Sequence, residues 1–361
     1  MRDRLAGTPL DLALSLAVAA LALGIAALFI GASGVSPAEA GDAFVQGVFG
    51  GRFQIGSTLA AMIPLVLVAL AWIVTFSADR LHVGFPGQIV IGGLCSTVIA
   101  LEVAPGLPGI VALPLAVLAG AAGGGLYAGI VAWLWAKRGA NEILTSLLLN
   151  LIAVQVIAWM VRGPLQESAG SLPQTDPLTE SAVWPTLLSN TPLAWDLVTV
   201  PIAIVLVAWV MSRTTLGFRL RLVGANQDLA RQAGVSPVRV GVWAIVVSGA
   251  LAGLAGASLV LAGNAAATTD SFEAGYGFTG IAVALLARNS PWGVVPAAFL
   301  FAALDTGGGV MEASVGVSNA LSEITQGLVV TMVLISASLL YLRSRGRVNR
   351  IGRSSTAMEG T

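Results

Sequence analysis

Glu142, Ser146 and Asn150 stand four residues apart in one apolar stretch, so they share a helical face. Asn141 and Thr145 flank that face, and Gln155 lies further along. Gln88 opens an earlier apolar segment, and Ser322, Glu323 and Gln326 open the last one. Polar groups in such segments are costly, and they face a bundle interior or a watery cavity. Two roles stay open for each of them: lining a path for a polar, uncharged solute, or hydrogen bonding between helices. The 142–150 face as a group is read as lining. Catalysis lacks its groups. One histidine, His82, and one cysteine, Cys95, supply neither a metal cluster nor a relay, and a single cysteine allows no internal disulfide. The only lysine, Lys137, follows Ala136, so no Gly-x-x-x-x-Gly-Lys-Ser/Thr phosphate loop exists. ATP, if it drives this chain, must bind another one.

A second kind of chemistry lies in Ser212 to Val240, a polar stretch with five arginines between two hydrocarbon runs. It predicts a short helix with marked ends. Asn226 caps the first turn, and Gly234 takes the left-handed conformation that closes the last. Ser236 and Pro237 then open the next helix as N-cap and N1. A capped basic helix on one face of a membrane protein implies contact with something soluble.

The elements that must position these residues are membrane helices. The chain has 361 residues, of which 10% are charged, against roughly 25% for a soluble protein. The apolar runs reach about 18 to 22 residues, which favours helices over a barrel. Ten spans are predicted: 12–30, 57–76, 88–101, 110–135, 143–161, 197–211, 241–261, 280–287, 292–304 and 324–341. The first is too long for a signal-peptide core and is read as retained. The third, eighth and ninth are too short to cross ~30 Å unaided. With an inside N-terminus, 16 of 18 basic residues fall on the cytoplasmic side and 12 of 18 acids outside. A missed span would invert this asymmetry, so both termini are placed inside. The arginines of the tail, 342–361, suit anionic lipid. No charged residue falls near the middle of any span on these boundaries, which argues against a proton-coupled carrier.

Gly84-Phe85-Pro86-Gly87, on the inside, is echoed by Gly277-Phe278-Thr279-Gly280, on the outside. Each opens a short span, which suits an inverted repeat of spans two to five against seven to ten. Gly120, Gly124, Gly125 and Gly129, with Gly249 and Gly253, have the spacing of closely packed helices. The loop 162–196 carries five prolines and covers the outer mouth, as a connector or as a receiving surface for a solute-delivering protein. Trp72, Trp135 and Trp159 are equally readable as base-stacking groups or interfacial anchors.

Several of these stretches resemble a known family. Gly224-Ala-Asn-Gln-Asp-Leu-Ala-Arg-Gln-Ala-Gly234 is similar to the cytoplasmic motif of ABC importer permeases of the branched-chain amino acid and ribose class. Asn141-Glu-Ile-Leu-Thr-Ser-Leu-Leu-Leu-Asn150 and Gly277 to Asn289 resemble its nucleoside and simple-sugar branch, as do Gly163-Pro-Leu and Leu172-Pro-Gln. The chain departs from that branch at Pro86, where an acid is usual, and at Leu229, where alanine is usual. The resemblance covers residues 55 to 340 and implies an all-α polytopic permease occupying 1–361, not itself an enzyme and binding no cofactor. It implies a second permease subunit, ATPase subunits that bind ATP and dock on the 212–240 loop, and an extracytoplasmic solute-binding protein. No nucleic-acid partner is expected. On this reading Arg219, Arg221, Gly224, Asn226, Ala230, Arg231 and Gly234 form the coupling element, and Gln88, Glu142, Ser146, Asn150, Gln155 and Gln326 the solute path. The expected solute is a nucleoside. A simple sugar or a branched-chain amino acid is the alternative solute, and a secondary carrier the alternative class.

Overall fold

The computed structural model describes residues 34–168, 170, 172–262 and 275–316, with positions 24, 28, 30, 31, 324, 327 and 331. The tail 342–361, Gln326 and nearly all of the first and tenth predicted spans lie outside these residues. The described elements are α1 (Pro37–Phe49), α2 (Arg52–Phe76), α3 (Phe85–Val98), α4 (Gly109–Arg138), α5 (Glu142–Val161), α6 (Thr199–Arg213), α7 (Thr215–Ala225), α8 (Gln227–Gln232), α9 (Pro237–Leu261), α10 (Tyr276–Leu286) and α11 (Val294–Val315). A π-helical turn, Ile99–Val103, extends α3, and a 3-10 turn, Trp195–Val198, leads into α6. Among the described residues seven helical stretches are long and apolar enough to cross a membrane, and α10 is a shorter apolar helix.

The chain divides into two compact units, residues 49–306 and residues 1–48 with 307–361. In the smaller, Ala40 of α1 packs on Met311 near the end of α11, and Phe44 of α1 lies against Gly307. In the larger, α2 and α9 are apolar all round and buried, with Met62 to Thr75 continuous in the core. Helices α4, α5 and α6 turn one side outward, including Leu126, Leu151 and Trp209.

Glycines set the core spacing. A methyl group on Gly253 would overlap the carbonyl oxygen of Gly120, one on Gly124 that of Gly249, and one on Gly92 the backbone of Gly253. Three helices (α3, α4 and α9) therefore meet backbone to backbone, as small residues allow where lipid gives no hydrophobic drive. Of the two spacings predicted on α4, 120–124 is used. At Gly129 the nearest atom to an added methyl is 3.9 Å away, so 125–129 does not make the close approach. Gly253→Val is expected to destabilise the detergent-solubilised protein on the order of 3 kcal/mol, the upper range for overpacking. Gly129→Ala should be nearly neutral. A thermal-aggregation scan of both variants checks this.

Two sequence expectations need correction. The third and ninth predicted spans are not short: Phe85–Val103 has 19 residues and Val294–Val315 has 22. The π turn carries the first past its apolar limit, with the Ala104 amide donating to the Ile99 carbonyl at 2.8 Å. The second runs on through Asp305 and Thr306, whose polarity ended the apolar window. Asp305 thus lies in the middle of a membrane-length helix, where no charge was expected. Nor are the two glycine motifs on opposite faces. A methyl on Gly277 would lie 2.6 Å from the Pro86 ring, so α3 and α10 open side by side. Phe85 is buried and 6.5 Å from the Trp72 ring, which places that opening inside the bundle.

Candidate functional site

The 212–240 stretch folds as its local chemistry dictates. Thr214 caps α7 by accepting from the Gly217 amide at 3.2 Å. Asn226 Oδ1 accepts from the amides of Asp228 and Leu229 at 2.9 and 3.0 Å, which starts α8. Gly234 closes it at φ +76°, a left-handed conformation that disfavours side chains. The Val235 amide then returns to the Ala230 carbonyl at 2.9 Å. Ser236 caps α9 through the Arg239 amide at 3.4 Å, with Pro237 at N1. Ala230 is buried, whereas Leu229 is 52% exposed. Arg231 donates to Asp228 at 2.6 Å, both side chains being largely in solvent. Arg219 and Arg221 on α7 are exposed. This end of the bundle therefore presents a rigid, charged, two-turn knob.

The knob is seated on the end of α2. Gly224 sits so close to the Ser77 carbonyl that a side chain there would overlap it. Gln227 Nε2 donates to Asp79 Oδ2 at 3.4 Å. Beyond Asp79 the segment 80–88 carries a second set of contacts. Arg80 lies 4.5 Å over the Trp135 ring and 3.9 Å from Glu142 Oε2. His82 is fully buried, with Nδ1 3.5 Å from Glu142 Oε1 and Nε2 2.5 Å from Gln88 Nε2. With Gln88 donating, His82 Nε2 accepts and Nδ1 carries the hydrogen towards Glu142. Asn150 bridges the same segment: Oδ1 accepts from the Gly87 amide at 2.9 Å, and Nδ2 donates to the Val83 carbonyl at 3.0 Å. His82 Nδ1, Gln88 Oε1 and Glu142 Oε1 are buried without a hydrogen-bond partner. Such orphans are costly, so this network is poised rather than fully satisfied.

The structure thus brings Gln88, Glu142 and Asn150 together, but around the 80–88 segment. Ser146 returns its hydroxyl to the Glu142 and Ile143 carbonyls at 2.8 and 3.0 Å. Gln155 is not with them. It is exposed, among Leu151, Ile152, Val156 and Trp159 in a shallow apolar groove. Trp72 stacks on Phe76 at 5.6 Å and Trp135 holds Arg80, so both rings are already engaged. Sequence reasoning missed Arg80 and His82 as partners of Glu142, because that grouping exists only in tertiary structure. It also missed Asp196, which is buried and accepts from Ser258 Oγ on α9. Together with the Trp184 amide bonded to the Leu261 carbonyl at 2.8 Å, this straps loop 162–196 to the far end of α9. Within that loop the Asp176 carboxyl is held below its ordinary range by hydrogen bonds from the Ser168 amide and hydroxyl.

The described residues thus build membrane-length helices with a charged knob seated at one end. The chain belongs to the family of branched-chain amino acid transport system permease components, whose model matches residues 54–337. Its relatives include permease proteins of ABC transporters, and the chain is a multi-pass protein of the bacterial plasma membrane. It is 37% identical to the glucose ABC transporter permease protein TsgB13 of Haloferax volcanii, over 90% of this chain and 87% of that one. It is 34% identical to the nucleoside ABC transporter permease protein NupB of Lactococcus lactis, over 74% and 75%. With the guanosine ABC transporter permease protein NupP of Bacillus subtilis it shares 30% identity over 88% and 92%.

Proposed function

We propose that this chain forms the translocation path of an ATP-driven importer for nucleosides, moved by ATPase subunits that grip α8. The observation that carries the reading is the seat of α8: a helix capped at both ends, charged on its free side, bonded through Gln227 to Asp79 and continuous with α7, whose Gly224 presses on the Ser77 carbonyl at the end of α2. A rigid knob of that kind transmits a push without bending. Arg219, Arg221 and Arg231 are the cations offered to acids of the ATPase, which binds the ATP; this chain binds none. A second permease subunit and an extracytoplasmic solute-binding protein complete the assembly, the latter on loop 162–196. Up to residue 240 the basic residues gather on alternate connections, which supports an inside N-terminus and α8 in the cytoplasm.

The coupling route is physical and continuous. Movement of α8 acts on Ser77 and Asp79, then on segment 80–88, then on α5 through Glu142 and Asn150 and on α3 through Gln88. These are the residues that read from sequence as path lining, and they act here as the inner gate. Nucleotide binding favours one arrangement of this network over the other, which gives alternating access. Nucleosides are preferred because two of the three relatives above are nucleoside or guanosine permeases; a sugar is the second reading, favoured by the 37% identity to a glucose permease. Labelled guanosine and glucose are offered to cells with and without the chain, under ATP depletion or collapse of the ion gradients. Chain-dependent uptake should stop with ATP. Uptake that survives ATP loss but stops with the gradient would mean a secondary carrier.

A further inference from the structure

Asp305 occupies the twelfth position of the 22-residue helix α11, and its side chain is exposed. A carboxylate at that depth does not face lipid tails; it faces protein or a watery path. Its surroundings are polar in the same place. The next residue, Thr306, lies 2.8 Å from the Thr58 hydroxyl of α2. The Tyr276 phenol, at the start of α10, is within electrostatic reach of the Asp305 carboxylate. Tyr276 is also next to Gly277, the residue pressed on Pro86 where α3 and α10 open. An acid and a phenol are thus in electrostatic reach of each other, with a hydroxyl pair one residue further along α11, near the mouth where α3 and α10 open beside Pro86.

We propose that Asp305 is a solute-contacting residue that reads a pair of adjacent hydroxyls. This rests on the importer reading and narrows its solute class. A carboxylate has two oxygens in one plane and accepts two O–H bonds side by side, each shortened and strengthened by its charge. Vicinal hydroxyls present that donor pair, and it is what ribonucleosides and glucose have in common although their other parts differ. An apolar solute such as a branched-chain side chain offers the acid nothing. The phenol of Tyr276, within electrostatic reach of the acid, adds an aromatic surface with a polar tip.

The test compares the intact transporter with Asp305→Asn and Asp305→Ala, in proteoliposomes with the ATPase, second permease and binding protein. Labelled guanosine and 2′-deoxyguanosine are the probes. The unaltered transporter should prefer guanosine, and Asp305→Asn should shrink that preference about tenfold, the effect of losing one charged hydrogen bond. Recovery of the assembled complex should not change. Equal loss of both solutes, with the preference intact, would overturn the proposal. So would failure of Asp305→Asn to assemble, which would make Asp305 a subunit contact, and so would pH-gradient-dependent uptake that disappears in the variant. If the unaltered transporter moves neither probe while another solute enters with ATP, the nucleoside reading itself fails, independently of Asp305.

Discussion

Arg231→Glu is expected to lower ATP-driven uptake at least tenfold while the protein still inserts in the membrane. Arg231 sits on the free side of α8, 59% exposed, and its only intramolecular ion pair among the described residues is with Asp228, one turn back. That pair is exposed and contributes little to folding. The reversal instead places two carboxylates side by side on the surface offered to the ATPase. Losing one partner of a charge pair buried at an interface costs roughly 2–5 kcal/mol, and a tenfold loss needs only about 1.4. Co-purification of the ATPase measures docking, and membrane yield controls for folding. Arg162→Glu, at the other end of α5, should leave docking untouched. Equal docking by Arg231→Glu and the unaltered chain would remove this residue from the coupling surface.

Asn150→Leu should have an effect of similar size by another route. Asn150 satisfies the Gly87 amide and the Val83 carbonyl together, and leucine satisfies neither. Two buried backbone groups left unpaired cost about 1–3 kcal/mol each. The segment 80–88 then keeps only its Glu142 contacts to α5, while α8 and the close approach of Gly224 to Ser77 are unchanged. The ATPase should therefore still dock, and hydrolysis should continue without transport. Simultaneous measurement of ATP turnover and solute uptake in vesicles separates this uncoupling from simple unfolding. Normal uptake with normal turnover would show that the network does not transmit motion.

The capped helix α8 was legible in the sequence because its determinants are local. An N-cap asparagine, a left-handed glycine and a Ser-Pro helix start act over three or four residues. Asn226, Gly234 and Ser236 accordingly adopt the predicted conformations. Helix lengths were less legible. Hydropathy windows stop at a polar residue, but a helix stops only when its backbone does, so α11 continues through Asp305 and the end of α3 through a π turn. The polar face at 142–150 was correctly seen as one face, yet its partners across the bundle come from 60 or more residues away in sequence, as His82 with Glu142 and Gly87 with Asn150 show. No local rule pairs His82 with Glu142. The argument from missing mid-span charge also falls with Asp305, and membership of a permease family now carries the weight that argument had.

The account turns on which soluble partner, on which side of the membrane, meets α8. With Cys95→Ala as background, Leu229→Cys places one thiol on the exposed side of that helix. Cross-linking to a single cysteine on the ATPase surface is then measured in inside-out membranes, with and without nucleotide. The account predicts a permease–ATPase product whose yield changes when nucleotide is added. Labelling of the same thiol by an impermeant maleimide in intact cells, with no such product, would contradict it.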